Sequence, residues 1–344
     1  TVRWGIRARR EASTLRAEPA EPLTTRVRAR ALLRLGAFHF LLGDYGAAIR
    51  SIESGLSVGQ GLEIDDDVGC GLVSLGAIAG WRGDAEVART YLEQALACGR
   101  RVGETYLTAD ALFELARLNG SFGDFAESKR LAHESLALSR AAGLTDWMIR
   151  ALNALAWATS CSGEYDEAEA YFRESLDLAQ GIGDSYGIGM AQDGIGWIAW
   201  CVGGERLDEA EERIQLSVAQ ARELGDNLAL SNNLGDLALV ALDRDNHGLA
   251  RSYAQEGLAL ARAVDSAVYV AYHLCILGNV AAVHRQFDTG YRCLREAVEI
   301  TWRSRLWPQL TFCLYHVAVL IVHEAAALMG GAGIEASENT GAER

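Results

Sequence analysis

Trp157 and Trp197 stand 40 residues apart, with Arg150, Asn153 and Asp193 close to them in the chain. Aromatic rings beside single polar groups suit recognition of a peptide or small ligand: the ring supplies apolar area, and the polar group fixes orientation. The same spacing brings Asp110, Phe113 and Arg117 before them and Met190 and Trp200 beside them. Asn232, Leu239, Tyr272, Cys275, Asn279, Phe312 and Tyr315 follow. The candidate contacts are Phe113, Arg117, Arg150, Asn153, Trp157, Asp193, Trp197, Asn232, Tyr272 and Asn279. Tryptophans at this spacing suit packing between helices equally well.

Catalytic patterns are missing. His133-Glu134 and His323-Glu324 begin like a zinc-protease helix, but no second histidine follows at the required spacing. The seven histidines show no metal-ligand spacing. The one lysine, Lys129, lies outside any glycine-rich phosphate loop. Gly187-Ile188-Gly189 has no preceding strand, so it does not read as a dinucleotide fingerprint. No nucleophile and base can be paired from spacing. The expectation is a non-enzyme with no cofactor and no metal.

The elements that would position these residues follow from a period of 40. Leu35-Gly36, Leu75-Gly76, Leu115-Ala116, Leu155-Ala156 and Ile195-Gly196 recur at that step. After a two-residue insertion come Leu237-Ala238, Leu277-Gly278 and Val317-Ala318. Around Leu234 the register has two readings, Leu234-Gly235 or Leu237-Ala238. A second small residue follows each of the first seven pairs: Ala48, Ala88, Ser128, Ala168, Ala210, Ala250 and Gly290. Between the two markers lies a turn such as Gly43-Asp44-Tyr45 or Gly123-Asp124-Phe125. Apolar residues on both sides recur at three and four, the helical period. Each repeat therefore reads as a helical hairpin, with a tight crossing at the small residues. Gly103, Gly143, Gly183 and Gly225 read as helix ends, and Asp184 and Asp226 as caps of the next helix.

One hairpin cannot cover its own apolar face, so neighbours must stack. The expected fold is all-α: an α-α superhelix, a solenoid of hairpins of about 40 residues each. Residues 1–24 read as a partial repeat, a lone second helix over 3–16 (with Ala8 at the small position) and a proline-containing connector. Residues 25–302 read as seven hairpins, and 303–344 as a terminal helix and flexible tail. Such truncated ends suggest a segment of a longer protein.

Charge and cysteine content narrow the function further. The net charge is −14 over 344 residues. Residues 1–34 carry nine arginines against three acids, so the remainder is more acidic still, which disfavours direct nucleic-acid binding. Seven cysteines with no Cys-x-x-Cys predict no disulfide framework and a reducing, cytoplasmic compartment. No charge-free apolar run of ~18 residues is evident, so no membrane contact is expected.

The Leu-Gly pair, the Gly-Asp-aromatic turn, the small residue and the bulky position at Phe172 resemble the tetratricopeptide repeat, although the period exceeds that family's usual length. Segments 28–38, 43–59, 134–143 and 221–235, and the tail 324–342, resemble a narrower group. This is the helical C-terminal region of bacterial predicted signal-transduction ATPases of the STAND, NB-ARC-like kind, joined to LuxR-type or winged-helix DNA-binding domains. That resemblance implies a non-catalytic sensor and protein-interaction module of a larger ATPase or transcriptional regulator. Its partners would be a peptide, a protein or a small-molecule inducer on the concave face, and an upstream NTPase domain. The alternative is a constitutive scaffold for self-association without a ligand.

Overall fold

The computed structural model describes residues 22–41, 43–59 and 65–341. The lone helix expected over 3–16 and most of its connector lie outside the described residues. Among the described residues there are fifteen α-helices, one short 3-10 turn at Gly204–Arg206, and no strand. Hairpins are formed by α1 (Pro22–Leu41) and α2 (Tyr45–Gly59), α3 (Asp65–Arg82) and α4 (Ala85–Val102), and α5 (Thr105–Ser121) and α6 (Phe125–Ala142). Next come α7 (Thr145–Cys161) and α8 (Tyr165–Ile182), then α9 (Ser185–Val202) and α10 (Leu207–Leu224). These are followed by α11 (Asn227–Asp243) and α12 (His247–Ala263), then α13 (Ala267–Val283) and α14 (Phe287–Arg303). The terminal helix α15 runs from Trp307 to Gly341 and so includes the stretch expected as a tail. Contacts divide the chain into two units, one ending at Leu230 and one starting at Ser231.

Among the described residues of the first unit, glycine places the turns. Gly83, Gly123 and Gly163 link the helices within hairpins, and Gly103, Gly143 and Gly183 link one hairpin to the next. All have positive φ, between 67° and 91°, a conformation that costs a residue with a Cβ. Aspartates then cap: Asp124 accepts from the Glu127 amide at 3.1 Å, and Asp226 from the Ala229 amide at 2.9 Å. The two-residue insertion becomes the 3-10 turn, and Arg206 ties it back to Glu169 on α8 at 2.9 Å.

The small markers form the crossing inside each hairpin. A Cβ on Gly76 would lie 2.5 Å from Leu92 Cγ and 3.2 Å from the Ala88 carbonyl. One on Gly196 would lie 2.6 Å from Ile214 and 3.1 Å from the Ala210 carbonyl. In the third hairpin Ser128 replaces the alanine, and its hydroxyl donates to the Ala116 carbonyl at 2.7 Å. A second small stripe escaped the sequence reading. Ser135 donates to the Ala109 carbonyl at 2.8 Å and Ser175 to the Ile149 carbonyl at 3.3 Å, joining each second helix to the preceding first helix. Both hydroxyls are fully buried, so each must be hydrogen-bonded to be tolerated there.

In the second unit the turns differ. Asp245, Asp265, Arg285 and Arg305 take the left-handed conformation at φ 54–57°. The αL region costs a non-glycine residue ~1–2 kcal/mol, part of which glycine returns as unfolded-state entropy. Arg285 is exposed, so Arg285→Gly should raise stability by about 0.5–1 kcal/mol. A thermal melt with an unchanged or lower midpoint would contradict this. Of the two register readings near Leu234, Ala238 is fully buried and lies 40 before Gly278, while Gly235 faces Tyr272 and His273 on α13.

One expectation is corrected in α15. Residues Trp307–Met329 form a helix long and apolar enough to cross a membrane by length and composition. The segment escaped the sequence reading because its polar residues are scattered among the apolar ones. Its inner face packs within the second unit: Cys313 lies 3.2 Å from Cys275 on α13, and Leu320 is fully buried beside Gly290 on α14.

Candidate binding face and family

Three columns of side chains rise through the first helices of the first unit, one residue per repeat. The first is Arg117, Trp157 and Trp197. Trp157 and Trp197 have ring centroids 6.0 Å apart, and Trp200, one turn on from Trp197, lies 4.9 Å from it. All three rings are half-buried. Trp157 stands edge-on to the fully buried ring of Phe172, at 5.4 Å and 80°, a geometry that the ring quadrupole favours. The tryptophans therefore both pack and reach solvent.

The second column is ionic. Arg150 donates to Asp110, its equivalent one repeat earlier, at 3.0 Å. The Arg150 guanidinium also lies over the Phe113 ring at 5.9 Å. Nearby, Arg117 donates to Glu114 at 2.8 Å and covers Trp81 at 5.1 Å. The Asp110 side chain is 21% exposed and that of Arg150 34%, although protein atoms surround both. Burial, with Glu114 close by, pushes the Asp110 carboxyl up, while Arg150 opposes the shift. Tyr186 is 43% exposed, and its phenol is pushed up to about 12, first by desolvation and then by Asp226.

The third column corrects the sequence reading. Phe113, Asn153 and Asp193 are buried. Asn153 is fully buried and donates to the Ile149 carbonyl at 2.8 Å and to Ser175 at 2.7 Å. It is therefore a packing residue, because this position turns towards the second helix instead of towards solvent. Phe113 contributes only a ring face beneath Arg150. Asp193 lies at the same buried level.

In the second unit, Asn232 donates to Asp236 at 3.2 Å, and the Tyr272 hydroxyl donates to the same carboxylate at 2.6 Å. Tyr272 also meets Phe312 at 5.6 Å. Asn279 is half-buried on α13. Asn232 and Tyr272 are thus brought together through Asp236, a residue the sequence reading omitted. Trp81, Glu114 and Tyr186 were also missed: Glu114 adjoins the marker Leu115, Trp81 lies six residues after Leu75 and Tyr186 nine before Ile195, so none falls on the 40-residue columns of the candidate contacts. Among the described residues no three His, Cys, Asp or Glu side chains converge to hold a metal.

The tetratricopeptide repeat family matches residues 67–141 and 121–181, which span α3 to α8. No curated protein matches the chain. Among solved structures, a Rap protein complexed with competence and sporulation factor is similar at 11% identity and a TM-score of 0.62, over 94% of this chain and 98% of that one. The Rap conjugation gene regulator of plasmid pLS20, in complex with the Phr* peptide, is similar at 15% identity and a TM-score of 0.60, over 87% and 95%. A STAND protein with a tetratricopeptide repeat sensor from Pyrococcus horikoshii is similar at 11% identity and a TM-score of 0.52. That match covers 96% of this chain but 53% of that protein. At these identities the likeness establishes the fold. The tetratricopeptide repeat is thus matched over residues 67–181, a third of the chain, and helical hairpins of the same kind stand before and after it.

Proposed function

We propose that this chain is a non-catalytic sensor and protein-interaction module that binds a peptide, protein segment or small inducer on the first unit. The observation that carries this is the half-buried ring cluster of Trp157, Trp197 and Trp200, with Arg150 of the Arg150–Asp110 pair on the same helix as Trp157. Aromatic anchors supply most of the binding energy at such a face, and the ion pair offers one donor and one acceptor for orientation. Two similar folds were solved with the competence and sporulation factor and the Phr* peptide, and a third belongs to a STAND protein. They support the same kind of role here, within a larger signal-transduction ATPase or transcriptional regulator. Seven free thiols agree with a reducing, cytoplasmic compartment. A ligand that orders one hairpin would bias its neighbours, since each repeat contacts only the next.

The test is titration of the chain with a pool of short synthetic peptides, read by tryptophan fluorescence. Trp157→Ala with Trp197→Ala should weaken binding about 100-fold or more, while leaving helicity intact. A folded double variant with unchanged affinity would overturn the proposal.

A further inference from the structure

In every hairpin the first helix carries a small marker residue, and the second helix of that hairpin lies across it. Gly36 faces Ala48 and Ile52, Gly76 faces Ala88 and Leu92, Gly196 faces Ala210 and Ile214, and Gly278 faces Leu294. The equivalent residue of α15 is Ala318, and it is exposed. Four positions earlier, Leu72, Leu112, Leu152, Leu234 and Leu274 are buried, whereas Leu314 is 53% exposed. Three positions later, Ala79, Asn119, Thr159, Ala199, Ala241 and Ala281 are buried, whereas Ile321 is 50% exposed. The terminal helix therefore presents the surface on which every other hairpin seats an antiparallel helix.

That surface has its own order. Trp307, Thr311, Leu314, Ala318, Ile321, Ala325 and Leu328 are all exposed and recur at alternating steps of four and three, the spacing of a helix-pairing seam. Large and small residues alternate along it. If a second copy of the helix is laid antiparallel, with the two-fold axis between Val319 and Leu320, each large residue meets a small one. Leu314 falls opposite Ala325 of the other copy, Ile321 opposite Ala318, and Leu328 opposite Thr311. The seam is thus complementary to itself, as a two-fold interface requires. Within Trp307–Met329 the one charged side chain is Glu324, which already accepts from the Tyr291 hydroxyl at 2.6 Å. Two chains of net charge −14 can meet here without opposing like charges.

We propose that α15 pairs antiparallel with α15 of a second copy, so that the chain is a homodimer through its terminal helix. This is independent of the ligand reading of the first unit.

The experiment is sedimentation equilibrium of the full chain at micromolar concentration, with and without phosphatidylcholine vesicles. The wild type is expected at twice the mass of one chain. Ala318→Glu, placed at an exposed position, should raise the dissociation constant about 100-fold or more by burying a charge in the seam. Ala318→Ile alone and Ile321→Ala alone should each weaken the dimer, through a clash and through a void. The exchanged pair, Ala318→Ile with Ile321→Ala, should restore it, because large still meets small. A monomeric wild type, a dimer indifferent to Ala318→Glu, an exchanged pair no better than the single variants, or a monomer that instead sediments with the vesicles would each overturn the assignment.

Discussion

Acidification from pH 7 towards pH 4 should strip several kcal/mol from the second unit. His273 is fully buried on α13 and His316 nearly so on α15. Burial lowers both imidazoles from 6.5 to about 4. For His273 a hydrogen bond to the Ser231 carbonyl at 3.0 Å works against the shift without cancelling it. Both rings are therefore neutral in the folded state at pH 7. Below about 6.5 the unfolded chain takes up protons that the folded chain refuses, so the unfolded state gains as pH falls. The stability these rings contribute is complete above 6.5 and is lost progressively down to about 4. Each shift corresponds to about 3 kcal/mol.

His316 adds a second cost, since neither of its ring nitrogens has a hydrogen-bond partner. It is held by ring contacts to Phe312 at 4.4 Å and Tyr315 at 5.2 Å. His316→Leu should raise stability at pH 7 by about 1–3 kcal/mol, because it removes orphaned polar atoms. It should also remove roughly half of the acid sensitivity. Circular-dichroism melts of wild type and variant between pH 8 and 4 decide both points. Equal midpoints for the wild type at pH 7 and pH 5 would contradict the first.

Phe172→Ala is expected to cost about 3–5 kcal/mol, the range for emptying a buried aromatic site. Phe172 on α8 is fully buried. Its ring is seated against Gly194 on α9, where an added Cβ would lie 2.2 Å from a ring carbon. Gly194→Ala alone should therefore destabilise by overpacking. Combined with Phe172→Ala it should do less harm than the sum, since the new methyl enters the space the ring vacates. Urea titration of the four chains yields this coupling. The phenyl edge also supports Trp157, so Phe172→Ala should weaken peptide binding as well. A variant that loses less than about 1 kcal/mol would mean the ring is not packed as described.

The turns show how far local chemistry is legible. Gly123 and Gly163 could be read as left-handed positions because glycine there is the cheapest solution. Asp245 and Arg285 occupy the same conformation, and nothing in their side chains announces it. There the packing of two helices fixes the connection, and the residue accepts the strain. The α15 seam was hidden for a related reason: its apolar residues read as an ordinary repeat, and exposure depends on whether a second helix arrives.

What the amino-acid order determined is local and periodic. A step of 40 with small residues at fixed places dictates hairpins that cross closely, because only glycine, alanine or serine lets two backbones approach at Gly76–Ala88 or Ala116–Ser128. It also placed Trp157 above Trp197 and Arg150 above Asp110, since residues one repeat apart stack in register. Which of several adjacent columns meets solvent was left to the tertiary structure. Asn153 differs from Arg150 by three residues, nearly a full helical turn, yet one side chain is sealed against Ser175 while the other reaches solvent. Helical periodicity fixes an angle around one axis, and the arrival of the neighbouring helix decides which angles are covered.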